Sequence, residues 1–438
     1  MTPTPADGSD FSFLAEAVPL VLLQPSSYVR AASGKIAAAV AAAVSALGVV
    51  AVVGFLDPWA SLAALYVFFV FTFQLYFLEW PKVDFSLLLL LGVTLAAFMA
   101  PSALHAWGLW SAAFRVASLA TDAVLVVAAY RLMIQGPTWY VPPPGSLHGR
   151  IIVITGCNTG IGYEAAEALA RGGAQIIFAC RSEARARQAM QRLLLSAQGA
   201  GVVEDQLSFL PLDVSSLRSV RRFAELLRGT GLRPHTLVLN AGVMLSSRTL
   251  SEDGFEMTMA SNHLGHFLLV HLLLPDLMAL EAEGEQPRIV TVGSNMCYLH
   301  DAIDFGELVA AKAQDQEQFL QRPYTMFRAY AQSKLANLLF VRELARRLHA
   351  RGSRIPANAV HPGEVLTEVM RDMNPVIVFL QNLFRPLCYA FFKSARLGSA
   401  GTVHLAAAPG LATREGASGA YFVHLAPAPV SDVACDVE

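Results

Sequence analysis

The sequence is short of charge and of paired cysteines, and each shortage narrows what the chain can be. Charged residues make up only 15 % of its 438 residues, below the roughly 25 % usual in a soluble protein, so part of the chain belongs in a low-dielectric medium. The formal net charge is -2, and no basic run of the nucleic-acid type occurs, which removes nucleic acid as an expected partner. The five cysteines, Cys157, Cys180, Cys297, Cys388 and Cys435, are widely spaced with no CxxC pair. That argues against a disulfide framework or structural zinc and fits a reducing, cytosol-facing compartment. The start also lacks the basic segment of a secretory signal: it carries Asp7, Asp10 and Glu16, and Phe11 to Leu23 reads as a short interfacial or buried piece.

Hydrophobic residues, by contrast, make up 54 % of the chain, and the first third holds four long apolar runs. Ile36 to Leu56 and Ala60 to Leu78 contain no charge, and Phe85 to about Leu104 is broken only by Pro101. Each has the ~20 residues needed to cross a hydrocarbon core. The fourth run, Ala113 to Ile134, carries Arg115 and Asp122; a central carboxylate costs ~2.5–3.5 kcal/mol, which the run Ala123 to Ala129 offsets in part. These two charges, on one helical face, read as helix packing or lipid-edge snorkelling, with an ion path as the other reading. With a cytosolic N-terminus and four spans, Arg30, Lys35, Lys82 and Arg131 all fall on the cytosolic side, while the opposite loops near Pro58 and His105 hold no Lys or Arg. The expected organisation is an N-terminal segment 1–35, an all-α transmembrane bundle of about four helices over 36–134, a Pro/Gly linker 135–147, and a soluble domain 148–438 facing the cytosol.

Beyond Arg150, apolar runs such as "IIVITG", "QIIFAC", "LSFLPLDV" and "HTLVLNAG" alternate with helical patterns. Continuous apolar strands separated by helices predict a parallel sheet covered on both faces, an α/β doubly wound fold of the Rossmann type. The first strand runs into "TGCNTGIG", where Gly156, Gly160 and Gly162 would let the backbone approach a diphosphate at the start of a helix. At the end of the second strand Cys180 and Arg181 stand where an acidic residue would bind a ribose 2′-hydroxyl. A guanidinium suits a 2′-phosphate, which favours NADP over NAD; the bland reading of Arg181 is a solvated charge at a helix start. Further on, Tyr330 and Lys334 share one face of a predicted helix. Half-ionising a phenol near neutrality needs a shift of about three units, about 4 kcal/mol; a fixed ammonium and an oxidised nicotinamide ring could each supply part of it.

TGxxxGIG (Gly156, Gly160, Ile161, Gly162), NAG (Asn240, Ala241, Gly242), the asparagine of "MASNHLGHFLL" (Asn262), YxxSK (Tyr330, Ser333, Lys334) and "HPGEVLT" (Pro362, Gly363, Thr367) follow one another in an order that resembles the short-chain dehydrogenase/reductase superfamily. "ACRSEARA", "NHLGHFLL", "AYAQSKLANLLF" and "SGAYF" are similar to the branch holding retinol dehydrogenases and WW-domain-containing oxidoreductase, although no WW module is present. The resemblance covers about residues 148 to 425. It implies that Asp213 and Val214 contact the adenine, that Asn240, Ala241 and Gly242 lie beneath the cofactor, and that Pro362, Gly363 and Thr367 secure the nicotinamide side. It also implies that Tyr330 passes the proton, Lys334 lowers its pKa and holds the ribose, Ser294 fixes the substrate oxygen and Asn262 orders a water relay. No metal is implied, and His263, His266 and His271 read as packing residues.

Ser294 and Tyr330 are 36 positions apart, and the polar excursion between them, about Asp301 to Arg322, reads as a surface insertion. After Thr367, Val376 to Leu380, Phe384 and Leu387 to Phe392 form a greasy stretch bordered by Arg385, Lys393 and Arg396. It reads either as a lid for a lipophilic molecule or the bilayer, or as helices packed on the sheet. The function expected is a multi-pass membrane oxidoreductase, in the endoplasmic reticulum or another intracellular membrane. It would move a hydride between NADP(H) and a retinoid-, sterol- or fatty-type alcohol or carbonyl; a homodimer is compatible with this. The other class is a cofactor-binding membrane scaffold that senses redox state.

Overall fold

The computed structural model describes residues 140–299, 302–309, 316–365, 392–411, 418–423, 425–428 and 430. The segment 1–35, the four apolar runs of 36–134, the start of the linker, Thr367 and most of the greasy stretch lie outside the described residues. What is described is a doubly wound α/β unit. Its strands are β1 (Ile151–Thr155), β2 (Gln175–Cys180), β3 (Leu207–Pro211), β4 (Thr236–Leu239), β5 (Arg288–Val292), β6 (Ala357–His361), β7 (Tyr421–Val423) and β8 (Ala426–Ala428). They lie in the order β3-β2-β1-β4-β5-β6-β7-β8; β1 to β7 run parallel and only β8 is antiparallel to its neighbour.

Alternation within the strands builds the two faces. Ile152, Ile154, Ile176 and Phe178 point into one core together with Ala165, Ala166 and Leu169 of α1 (Gly160–Arg171), Ala186, Ala189 and Leu193 of α2 (Glu183–Ser196). Val153, Ile177 and Leu237 point the other way, onto Val220, Phe223 and Leu227 of α3 (Leu217–Gly229) and Leu269, Leu273 and Leu277 of α4 (Gly265–Ala282). Because both faces are covered, the strands need apolar residues at every position. The run Met257–Ala282 is long and apolar enough to cross a membrane, but its leucines are buried against α3 and the sheet. Two more helices complete the frame: α5 (Met326–Ala350), and α6 (Ala395–Ala407), which packs on α1.

Strand order reverses between β1 and β4, which leaves a crevice at their carboxyl ends where doubly wound sheets take ligands. The last residues of the predicted linker already belong to this unit. Leu147 N–H donates to the Gly172 carbonyl at 2.9 Å, and the Tyr140 ring stands edge-on to His404 at 5.1 Å. The excursion after Asp301 is more than a surface loop. Phe319 is 1 % exposed, and the buried Arg248 guanidinium stacks over it at 4.6 Å, pairs with Glu307 and donates to the Pro323 carbonyl at 3.2 Å.

Candidate active site

The glycine loop joins β1 to α1. Gly156 and Gly160 take φ of 66° and 60°, a left-handed conformation that side chains resist. A Cβ on Gly162 would collide with the Asn240 side chain and the Gly156 carbonyl. Thr159 at the head of α1 makes no side-chain cap, and the first turn holds no acidic residue. The N–H groups there are thus left for a diphosphate, a fit for the group this loop would hold.

Beneath the loop, Thr155 is the joint. Its hydroxyl accepts from Asn240 N–H and Ala241 N–H, both at 2.9 Å, and lies 2.9 Å from His266 Nε2. His266 Nδ1 is in turn 3.1 Å from the Asn262 carbonyl. Asn240 Nδ2 donates to the Thr155 carbonyl at 2.9 Å. Burial pushes the pKa of His266, and of His263 on Asn337, down to about 4, so both rings are neutral. Sequence reasoning read these histidines as packing and gave Thr155 no role; only the "TG" before the loop could have singled it out. Thr155→Val leaves two backbone N–H groups unpaired in a buried place, so a urea melt should show a loss of about 2–4 kcal/mol. A change under about 0.5 kcal/mol would count against the joint.

Asn262 sits in a π-helical turn, Ala260–Leu264, just before α4. Its amide is held on three sides: Oδ1 accepts from Val243 N–H at 2.7 Å, and Nδ2 donates to the Val243 carbonyl and to Ser333 Oγ, both at 2.9 Å. Ser333 donates onward to the Tyr330 carbonyl at 2.7 Å, tying the Asn262 turn to α5. Gly265 is required because a Cβ there would enter the Val214 carbonyl. That places Val214, at the end of β3's loop, against the same turn.

On α5, Lys334 is 4 % exposed; its Nζ donates to the Val292 carbonyl at 2.9 Å and lies 5.3 Å from the centre of the Tyr330 ring. Burial lowers its pKa to about 8. Tyr330 is pushed the other way: burial raises its pKa well above the usual phenol value, the Glu364 carboxylate adds to that, and a hydrogen bond with Ser294 opposes it. Ser294 follows the end of β5 by two residues, so the excursion returns the chain to the strand it left and the 36-residue separation is no obstacle. The Lys334 amine is turned to the Val292 carbonyl, and burial with Glu364 dominates at the phenol.

Gly363, with φ 85°, has the buried Lys393 side chain lying over it, so any Cβ would strike that chain. Pro362 and Gly363 lead from β6 to Glu364, whose Oε1 is 3.5 Å from His361 Nε2. Glu364 was not anticipated, although it stands in the "HPGEVLT" motif. At the other end of the crevice, Arg181 is two-thirds exposed and 3.8 Å from the Asp213 carboxylate. Asp213 Oδ1 accepts from the Ser215 N–H and hydroxyl at 3.0 and 2.7 Å. Ile161 lies on α1 next to Gly398 of α6. The structure therefore gathers Ser294, Tyr330, Lys334 and Asn262 at one end of the crevice. Gly156, Gly160, Gly162 and Asn240 to Gly242 line its centre, and Arg181 and Asp213 stand at the far end.

A half-buried phenol and a buried amine beside a glycine-lined strand-to-helix turn, at the carboxyl edge of a doubly wound sheet, make the layout of an α/β oxidoreductase. Comparison with known proteins agrees. The short chain dehydrogenase family profile matches residues 150–313. Retinol dehydrogenase 14 of Mus musculus is 40 % identical over 284 residues, which cover 64 % of this chain and 79 % of that protein. Polyprenol dehydrogenase of Mus musculus is 41 % identical over 290 residues, 66 % of this chain and 80 % of that one. WW domain-containing oxidoreductase of Danio rerio is 42 % identical over 282 residues, 63 % of each chain. Among solved structures, an uncharacterised protein from Mycobacterium Paratuberculosis is 31 % identical with a TM-score of 0.50, covering 68 % of this chain and 92 % of that one. The chain belongs to the short-chain dehydrogenase/reductase family, an oxidoreductase family.

Proposed function

We propose that the protein is a membrane-anchored oxidoreductase that exchanges a hydride between NADP(H) and a lipophilic alcohol or carbonyl. The observation that carries this is the half-buried Tyr330 phenol, sensitive to the nearby Ser294 hydroxyl and backed by the buried Lys334 5.3 Å from its ring centre. A scaffold would not need that arrangement. Similarity to retinol and polyprenol dehydrogenases supports a retinoid-, sterol- or other isoprenoid- or fatty-type substrate. The uncharged runs Ile36 to Leu56 and Ala60 to Leu78 support an anchor in the bilayer.

When bound, the dinucleotide supplies or accepts the hydride. Gly160, Ile161 and Gly162 would hold its diphosphate on backbone N–H groups, with Gly156 turning the chain beneath it, Asp213 and Val214 would contact the adenine, and Asn240 to Gly242 would lie beneath the cofactor. Pro362 and Gly363 would secure the nicotinamide side, the role the family motif also gives to Thr367. Ser294 holds the substrate oxygen while Tyr330 donates a proton to it in reduction and removes one in oxidation. Lys334, whose Nζ donates to the Val292 carbonyl, would hold the ribose, and Asn262 would order the proton relay behind it. Because burial and Glu364 keep the phenol protonated through neutral pH, carbonyl reduction is the direction whose acid is already in place.

The test is turnover by the full chain in detergent micelles with NADPH and a panel of lipophilic aldehydes and ketones. NADPH binding with no turnover on any member would favour the scaffold reading. Arg181→Ala should cut the preference for NADPH over NADH about 10- to 100-fold, the worth of charge-assisted bonds to a 2′-phosphate. Equal ratios for both proteins would remove Arg181 from cofactor choice. Protease protection on sealed vesicles should leave the domain after residue 148 open to digestion from the cytosolic side.

A further inference from the structure

Two thiols that the hydride chemistry does not use face one another across the floor of the glycine loop. Strand pairing brings them there. Thr155 of β1 lies opposite Ala179 of β2, so Cys157, just past the first strand, and Cys180, closing the second, run on side by side. Their sulfurs are 4.0 Å apart, and the Cys157 thiol donates to the Ile154 carbonyl at 3.2 Å.

The two are not equivalent. At Cys180 the neighbouring Cys157 thiol lowers the pKa despite burial. At Cys157 burial dominates and raises the thiol well above its ordinary value. One sulfur is thus the favoured nucleophile and the other a neutral thiol within reach of it, both buried at 3 % and 0 % exposure.

We propose that Cys157 and Cys180 are a modification site at which a hydroperoxide forms a reversible disulfide in the cofactor-free protein, and that this disulfide weakens dinucleotide binding. The Cys180 thiolate attacks a peroxide oxygen; an S–O bond forms, the O–O bond breaks, and the departing hydroxide takes a proton to become water. Cys157 then gives up its proton and attacks the sulfenic sulfur, so that an S–S bond forms, the S–O bond breaks and a second water leaves. Two thiols are oxidised and one peroxide is reduced. A disulfide needs its sulfurs at about 2.05 Å, which draws the turn after Gly156 toward β2 and with it the loop that leads to the head of α1. In a reducing compartment the dithiol is the resting state. The effect on the cofactor rests on the cradle reading above; the disulfide does not.

The experiment treats the full chain in micelles with hydrogen peroxide, without NADPH, and blocks remaining thiols with N-ethylmaleimide. Trypsin cuts after Arg150, Arg171 and Arg181, so each cysteine falls on its own peptide, 151–171 and 172–181. The expected result is a linked pair of these peptides that dithiothreitol separates, and an NADPH dissociation constant raised about tenfold or more until the protein is reduced. Cys157→Ser should give no linked pair and a dimedone-reactive sulfenic acid at Cys180, and Cys180→Ser should keep its own NADPH affinity through peroxide treatment. Recovery of both peptides as maleimide adducts from oxidised wild type overturns the site, and a linked pair with unchanged NADPH affinity overturns its effect on binding. Failure of the reduced protein to bind NADPH strikes the cradle reading instead, since the linked peptide is scored without cofactor.

Discussion

Tyr330→Phe should lower kcat on the order of 10³-fold while NADPH affinity stays within about twofold. The ring, its burial and its place over Lys334 are kept; only the oxygen that meets Ser294 is removed. A general acid lost from a water-excluded site leaves binding and orientation to act alone, so the loss falls on kcat and not on KM. The pH dependence adds a second reading. A phenol held above its ordinary pKa is protonated at neutrality, so reduction should be flat across the neutral range and oxidation should gain as the pH rises. Steady-state rates of wild type and variant in both directions would show it. A variant rate within tenfold of wild type would take the proton transfer away from this residue.

Lys334→Met should do two opposite things: abolish most turnover and make the cofactor-free protein more stable at neutral pH. In the fold the amine has a pKa of about 8 against an ordinary 10.5, so folding favours its neutral form. Between those two values the unfolded chain binds more protons and stability rises with pH; below about 8 the buried charge costs about 3 kcal/mol. Methionine fills similar space without that cost, but leaves the Val292 carbonyl without its amine, which returns about 1–2 kcal/mol. The net gain at pH 7 is about 1–2 kcal/mol and should reverse to a loss near pH 10.5. Urea melts at the two pH values check the sign. A variant less stable than wild type at pH 7 would mean that the ammonium is not paying for its burial. Activity would fall by about 10²-fold or more, as the ribose and the phenol both lose their cation.

The sheet was legible because each parallel strand is apolar on both faces, so "IIVIT", "QIIFAC" and "RIVTV" announce themselves without any partner. The glycine turn and the Tyr330 helix were legible for a similar reason, their meaning being carried by neighbours within a few positions. What escaped were contacts between distant residues. Arg248 finds Glu307 and Phe319, Thr155 finds His266, and Ser333 finds Asn262, and no local periodicity marks such pairs. The polar composition of the excursion pointed to the surface, yet one phenylalanine within it is the anchor that an arginine covers. Glu364 was passed over because its effect on the phenol depends on where β6 ends relative to α5.

The π-helical turn at Ala260–Leu264 leaves a mark on what changes the chain can tolerate. One residue more than a regular turn requires lets the same continuous helix hold Asn262 toward α5 and Leu269, Leu273 and Leu277 toward the sheet. Excising a single position there would restore ordinary winding and leave the leucine stripe in place, but take from Asn262 the local geometry that aims it at Ser333 and Val243. The length of this turn is as fixed as the identity of Asn262 within it.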